Sequence, residues 1–210
     1  MCTSWADAPC SGLRVEARHA PPLPAFSVSE AVQTCIRRRE WVDCRTLELA
    51  LPTNRLRLCF LEPGLVRCCY ATGEVFEDIP SYGVAPGYAP AAVELEERET
   101  ESCLELRTSR LTVRLRWKDA GVEFVDRVTG RMLCADAEGM GHRALEKTGD
   151  EVVWVLKRMP EQAHFFALGD KPCTLNLRGR RLEMWGSDHY DFHPDSDPLY
   201  KSIPFFLCLH

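Results

Sequence analysis

Hydrophobic and polar residues alternate over much of the middle of the chain. Every second residue of the stretch 47–51 is leucine, and Leu56 and Leu58 repeat the spacing shortly afterwards. Residues 111–117, LTVRLRW, again alternate an apolar residue with threonine or arginine. An extended chain points successive side chains to opposite faces, so a period of two predicts β-strands that are buried on one face only.

Turn sequences separate these runs. Residues 118–122, KDAGV, and residues 128–131, VTGR, each place glycine where a tight reversal needs a positive φ. They predict a hairpin over 122–133, and residues 151–159 predict a further strand. The stretch nearest to a helical spacing, 27–41, predicts at most one short helix. Many short strands joined by regular turns predict an all-β fold, an antiparallel β-sandwich.

Two regions are predicted along the chain. Residues 1–28 are rich in proline and alanine, which predicts an extended N-terminal arm. Residues 29–210 are predicted to form the β-sandwich domain, because β-rich domains of this size commonly fold as one unit. The acidic tract at 94–102 is predicted to be a solvated connector or an edge strand.

The overall charge and the apolar runs exclude two classes of partner. With 31 acidic and 26 basic residues the net charge is -5, whereas proteins that bind the nucleic-acid backbone normally carry a basic surplus. A membrane-spanning helix needs about 18 consecutive apolar residues, and the sequence has no such run. The N-terminus also lacks the pattern of a secretory signal. We therefore expect a cytoplasmic protein that binds neither nucleic acid nor membrane.

The eleven cysteines are scattered and never spaced as CxxC. Zinc sites need paired cysteines with histidine close by, so no metal or other cofactor is predicted. In a chain without a secretory signal, we expect reduced thiols that are mostly buried.

The densest polar sequence lies near the C-terminus, inside a predicted series of strands. Residues 164–171, HFFALGDK, predict a strand that ends in a glycine turn, and residues 174–185 predict a hairpin that reverses at Arg178 and Gly179. Residues 199–209 predict a further, buried strand. The sequence between, GSDHYDFHPDSDP, predicts a loop because its residues favour turns over regular ladders.

This loop combines carboxylates with aromatic rings, which suits a sugar ligand. Aromatic rings cover the C–H face of a sugar while carboxylates accept its hydroxyl hydrogens. The structural alternative is a surface loop whose carboxylates only cap turns. We favour that alternative for Asp195 and Asp197, whereas for Asp188 both interpretations stay open.

The segment 165–206 resembles the segment that precedes the catalytic barrel in glycoside hydrolase family 31, the α-glucosidase family. The similarity rests on the motifs FFALGDK, LNLRG, WGSD followed by an aromatic residue, and DPLYKSIPF. Ala167 replaces the common glycine of the first motif, and Gly186 replaces the common asparagine of the third. Residues 111–136 resemble the family more loosely. The first ninety residues are compatible with the family only in their general sequence pattern.

The resemblance implies an antiparallel β-supersandwich of the galactose-mutarotase-like type. In the family, this N-terminal domain contributes a loop to the rim of an active site built on the following (β/α)8 barrel. Here Asp188 would approach the bound sugar, with Trp185, His189 and Tyr190 as weaker candidates for the same rim. The expected partners are an α-linked glucoside or oligosaccharide and that barrel, which would follow His210.

The resemblance also implies that this chain holds no catalytic residue. A retaining glycosidase needs two carboxyl groups about 5 Å apart, and the family places both on the barrel. The chain alone is therefore expected to be inactive.

Two alternatives remain. One is a self-contained carbohydrate-binding module. The other, which ranks last, is an aldose mutarotase or epimerase, whose chemistry needs a general acid and a general base facing each other in a cleft. His142 and His164 are available for that chemistry, but each is predicted to be structural. The sequence predicts neither the exact sugar nor its linkage.

Overall fold

The computed structural model describes residues 14–16, 36–73, 75–76, 84–85, 87–144 and 151–210. Within these residues it contains β-strands and no helix, which confirms the predicted all-β class. The strands are β1 (Arg14–Glu16), β2 (Arg38–Asp43), β3 (Thr46–Ala50), β4 (Arg55–Glu62), β5 (Leu65–Ala71), β6 (Glu96–Glu99), β7 (Cys103–Arg107), β8 (Leu111–Arg116), β9 (Val122–Asp126), β10 (Met132–Ala135), β11 (Gly141–Ala144), β12 (Glu151–Trp154), β13 (His164–Gly169), β14 (Arg181–Glu183) and β15 (Ser202–Leu209).

The chain divides into two compact units, which are described separately. The first, Ser29–Lys157, is called the sandwich unit, and the second, Met1–Val28 together with Arg158–His210, is called the terminal unit. The predicted arm over residues 1–28 falls outside the described residues except for β1, so it stays a prediction.

The described residues of the sandwich unit form two large antiparallel sheets and one small antiparallel sheet, in which β11 pairs with β12. Of the two large sheets, one has the strand order β2-β3-β4-β5 and the other the order β10-β9-β8-β7-β6. The register places the alternating leucines opposite one another, for example Leu47 opposite Leu58 and Leu49 opposite Leu56. The predicted hairpin over 122–133 is present as β9 and β10.

The core of the sandwich unit consists of apolar side chains from both large sheets. They are Leu47, Leu49, Leu51, Leu56, Leu58, Phe60, Leu104, Leu106, Val113, Leu115, Ala120 and Val122. Burying each large aliphatic side chain stabilises the fold by about 1.5–3 kcal/mol. The period-two pattern of the sequence therefore predicted the buried faces of β3, β4 and β8 correctly.

Charged side chains cover the outer faces of these sheets. On the five-stranded sheet, Glu105 accepts hydrogen bonds from Arg107 at 2.5 Å and Arg114 at 3.0 Å. Burial works to raise the pKa of Glu105, but these two arginines outweigh it and hold the pKa below its ordinary value. The acidic tract contains β6, whose residues are all exposed and form one edge of the sheet, as predicted.

The terminal unit contains two small sheets. Strand β13 pairs antiparallel with β15, and β1 pairs parallel with β14. Its core comprises six buried side chains, Met159, Ala163, Phe165, Leu168, Leu177 and Leu182.

Three local predictions are wrong. Part of the stretch predicted as a short helix, residues 38–41, belongs to strand β2, and residues 27–35 lie outside the described residues. The predicted hairpin over 174–185 does not form, because its first half is irregular and β14 pairs with β1 instead. Strand β15 exists, but it is not buried, and Phe205 is 62% exposed.

The thiols also differ from expectation. Cys103 is buried, whereas Cys44 and Cys68 are exposed and most other described cysteines are half-buried, so the prediction of mostly buried thiols is wrong. Within the described part of the chain, no helix is long and apolar enough to cross a membrane.

The end of β13 has an unusual backbone. Ala167, Leu168 and Gly169 have φ values of 86°, 66° and 84°, and the pairing with β15 shifts register there. Only glycine fits at position 169, because a Cβ would overlap the carbonyl oxygen of Lys201. Ala167 occupies the position where the family pattern has glycine, and its positive φ explains why glycine suits this position.

We therefore expect Ala167→Gly to raise the free energy of unfolding by roughly 0.5–1 kcal/mol. A left-handed conformation costs an L-residue about 1–2 kcal/mol, which exceeds the entropic cost of glycine. Urea unfolding measures the change. The control is Ala71→Gly in β5, where φ is not positive and glycine should destabilise by about 0.5–1 kcal/mol. Equal destabilisation by both variants would contradict the argument.

Candidate functional site

All four predicted ligand-binding residues lie in one loop of the terminal unit. This C-terminal loop, residues 184–201, connects β14 to β15 and contains no regular secondary structure. It is irregular because its glycine, serine, aspartate and proline residues favour turns.

A buried ion pair holds the base of the C-terminal loop. The side chain of Lys171 is only 2% exposed, and its Nζ donates to Asp197 Oδ1 at 2.5 Å and to the carbonyl oxygen of Glu183 at 2.8 Å. The other carboxylate oxygen of Asp197 accepts the backbone N–H of Glu183 at 2.5 Å. No sequence pattern indicates this contact, because Lys171 and Asp197 are far apart in the chain.

A second contact holds the later part of the loop. Arg180 donates to Asp195 Oδ1 at 2.5 Å, and the backbone N–H of Asp195 donates to the carbonyl oxygen of Pro172 at 2.6 Å. Asp195 and Asp197 therefore have partners within the protein, but these partners form ion pairs, so the predicted role of both carboxylates as turn caps is wrong. Leu199 is buried and fixes the loop before β15.

The segment Trp185 to Tyr190 projects from this base. Trp185 is 42% exposed, Tyr190 is 99% exposed, and Asp188 and His189 are also exposed. Within the segment, Ser187 Oγ lies 3.2 Å from His189 Nε2. Asp188 is exposed, and no described residue makes a hydrogen bond or ion pair with it. The structure therefore brings the four residues into one exposed segment without assembling them into a closed pocket.

The described residues contain no group of three or more histidine, cysteine, aspartate or glutamate side chains that could hold a metal ion. An open depression of about 450 Å³ lies in the sandwich unit, lined by Trp41, Asp43, Cys44, Leu95 and Glu97. Its polar groups already have protein partners, since Glu97 accepts from the Trp41 indole at 2.9 Å and Asp43 accepts from the N–H of Arg45 at 2.8 Å. We assign no chemistry to it.

The two histidines considered for mutarotase chemistry have structural partners. His142 Nδ1 lies 3.1 Å from the Tyr70 hydroxyl, and His164 Nδ1 lies 2.8 Å from Asn176 Nδ2. Burial raises the pKa of Tyr70 to about 12, so this phenol stays protonated at neutral pH. A general acid or base acts best with a pKa near the working pH, so the Tyr70 phenol is poorly suited to either role.

Comparison with known proteins identifies the family. The model of the glycosyl hydrolase 31 N-terminal galactose mutarotase-like domain matches residues 55–210. Alpha-glucosidase 2 of Bacillus thermoamyloliquefaciens is 31% identical over 158 residues, which cover 75% of this chain and 19% of that protein. The chain therefore spans about a fifth of the length of this relative.

Two solved structures share the fold. A family 31 dextranase from Flavobacterium johnsoniae, complexed with isomaltotriose, matches with a TM-score of 0.69 and 23% identity, covering 84% of this chain and 21% of that one. The cycloalternan-forming enzyme from Listeria monocytogenes, in complex with a pentasaccharide substrate, matches with a TM-score of 0.59 and 15% identity, covering 84% of this chain and 16% of that one.

These matches confirm the predicted galactose-mutarotase-like fold and agree with the paired antiparallel sheets of the sandwich unit. They also include the C-terminal loop, which lies wholly inside the matched residues 55–210. The chain belongs to the family of glycosyl hydrolase 31 N-terminal galactose mutarotase-like domains.

Proposed function

We propose that this chain is the accessory N-terminal domain of a retaining α-glycosidase and that its C-terminal loop shapes the rim where the substrate enters. The observation that carries the proposal is the exposed segment Trp185 to Tyr190, which projects from an anchored base. The substrate would be an α-linked glucoside or oligosaccharide, the class of sugar on which the similar alpha-glucosidase acts by name.

The exposed segment has the chemistry that sugar binding needs. Trp185 and Tyr190 present aromatic surface to solvent, and such rings combine an apolar face with a polar edge. The carboxylate of Asp188 is exposed, so it can accept hydrogen bonds from sugar hydroxyl groups. His189 adds a ring nitrogen beside them. Asp188 is the residue that we expect to contact the sugar most directly.

Catalysis is proposed to belong to a (β/α)8 barrel outside these 210 residues. Retaining hydrolysis needs a nucleophilic carboxylate and an acid/base carboxyl group about 5 Å apart across the scissile bond. In the C-terminal loop, Asp195 and Asp197 are engaged in ion pairs. The similar alpha-glucosidase is about five times longer than the region that matches this chain, so its remaining length is sufficient for such a barrel.

Strand β15 supports the presence of a further domain. Its apolar side chains are largely exposed, including Ile203 at 53%, Phe205 at 62% and Leu209 at 51%. Among the described strands β15 pairs only with β13, and no other described strand pairs with its second edge, a kind of edge that invites pairing with another chain. Exposed apolar patches of this kind mark interfaces, and we propose that the barrel covers this one.

The affinity of the isolated chain for sugars distinguishes an accessory domain from a self-contained carbohydrate-binding module. Calorimetric titration of the isolated chain with maltose or isomaltose should show no saturation, with a Kd above about 10 mM. One exposed loop offers too few contacts to bind a sugar tightly. Clear saturation near 1 mM would favour the binding module.

A separate prediction concerns Asp188 in the longer protein that we propose contains this chain. Asp188→Asn should lower kcat/KM by about 10- to 100-fold, because a hydrogen bond to a charged group contributes about 1.5–3 kcal/mol. Turnover should remain measurable, since the catalytic carboxylates are intact. The matched control is Asp191→Asn, which alters an exposed carboxylate of the same loop and should leave kcat/KM within about twofold. Equal effects of the two variants would remove the rim assignment.

Another prediction concerns the apolar surface of β15. The isolated chain should self-associate, because exposed apolar side chains and an unpaired strand edge favour contact between copies. Phe205→Ser should shift the population towards monomer in light scattering coupled to size-exclusion chromatography. Val128→Ser, which changes an 83% exposed residue of the sandwich unit, should have no effect. A chain that is wholly monomeric before any substitution would contradict the proposed interface.

A further inference from the structure

The side chain of Lys171 is unusually buried for a lysine. Lysine is almost never fully buried unless it is paired, yet this side chain is 2% exposed. Its Nζ makes two short contacts, one to the Asp197 carboxylate and one to the Glu183 carbonyl oxygen. A buried ammonium group is costly unless such partners satisfy it, so the surrounding geometry is strongly constrained.

Both backbone groups of Glu183 make hydrogen bonds to this ion pair. Lys171 donates to the carbonyl oxygen of Glu183, and Asp197 accepts the N–H of the same residue. Lys171 follows β13, Glu183 is the last residue of β14, and Asp197 lies near the end of the C-terminal loop. One ion pair therefore ties the beginning and the end of the loop to the end of β13.

The exposed segment begins two residues after Glu183. Asp188, His189 and Tyr190 are exposed, and the contact between Ser187 and His189 lies within the segment itself. The backbone of Glu183 therefore contributes to the direction in which the segment leaves β14, together with Met184, which packs against the core of the terminal unit. A change of backbone orientation there would displace every side chain of the segment together.

We propose that Lys171 and Asp197 are positioning residues for sugar recognition, because their ion pair fixes the backbone of Glu183 and so the placement of Asp188. This inference rests on the proposed rim function of the loop. Neither residue contacts the sugar. They act through Glu183, and misplacement of a recognition group by about 1 Å is enough to lower turnover substantially.

The chain offers a matched control in the same loop. Lys201 and Asp170 also form an ion pair, at 3.1 Å, but their side chains are 71% and 54% exposed. Exposed pairs contribute little because water screens them. Lys201→Met therefore removes a lysine charge from the loop without removing a buried contact.

The test uses the double variant Lys171→Met/Asp197→Leu. Replacing both partners removes the two charges together and leaves no unpaired buried ion, a change that folded proteins often tolerate. Hydrogen exchange in the isolated chain should show the amide of Glu183 exchanging about 10- to 100-fold faster, which corresponds to the loss of a hydrogen bond to a charged group. Amides of β3 and β4, in the sandwich unit, should keep their rates, as should all amides in Lys201→Met.

Asp197→Asn provides a second variant if the double variant does not fold. An amide offers only one acceptor oxygen in place of two, so it cannot accept from both Lys171 and Glu183 as the carboxylate does. The Glu183 amide should then exchange at an intermediate rate. Unchanged exchange at Glu183 in a folded variant would overturn the proposal.

Kinetics of the longer protein distinguish positioning from mere stability. Lys171→Met/Asp197→Leu should lower kcat/KM by about tenfold or more at temperatures where the variant stays folded, whereas Lys201→Met should not. Faster exchange with unchanged kcat/KM would overturn the positioning role. If Asp188→Asn still lowers kcat/KM in that case, the rim function stands and only this inference fails.

Discussion

We propose that the candidate site depends on the buried ion pair between Lys171 and Asp197. It satisfies both backbone groups of Glu183 and closes a loop that has no regular secondary structure of its own. Without a partner, either charge would be expensive to bury, so the pair forms as a unit or not at all. This constraint explains how an irregular loop rich in aspartate can keep a defined base while the segment Trp185 to Tyr190 stays exposed.

Regular alternation made the sandwich unit predictable from the sequence. The period of two in β3, β4 and β8 shows which face of each strand is apolar. Because the apolar face packs into the core, this local pattern is enough to predict the buried face. The placement of Asp188 in an exposed loop was also predictable, because turn-forming residues surround it. The family resemblance added the fold type, which alternation alone does not distinguish from other sandwiches.

The remaining features depend on contacts between distant residues. The pairing of β14 with β1 brings together residues 14–16 and 181–183, and nothing in either short strand specifies its partner. The exposure of β15 was not predicted from the sequence. An apolar sequence predicts a buried strand, but it does not show whether the residues that bury the strand belong to the same chain. The ion pair between Lys171 and Asp197 could not be predicted either, since the burial of a lysine side chain depends on contacts between residues that are distant in the sequence.

The central claim is that Asp188 contacts a sugar bound mainly by other polypeptide. A crystal structure of the longer protein with an α-linked gluco-oligosaccharide tests it directly. We expect an Asp188 carboxylate oxygen within about 3 Å of a sugar hydroxyl, with the catalytic carboxylates contributed by the barrel. A bound oligosaccharide that lies beyond hydrogen-bonding reach of the C-terminal loop would contradict it.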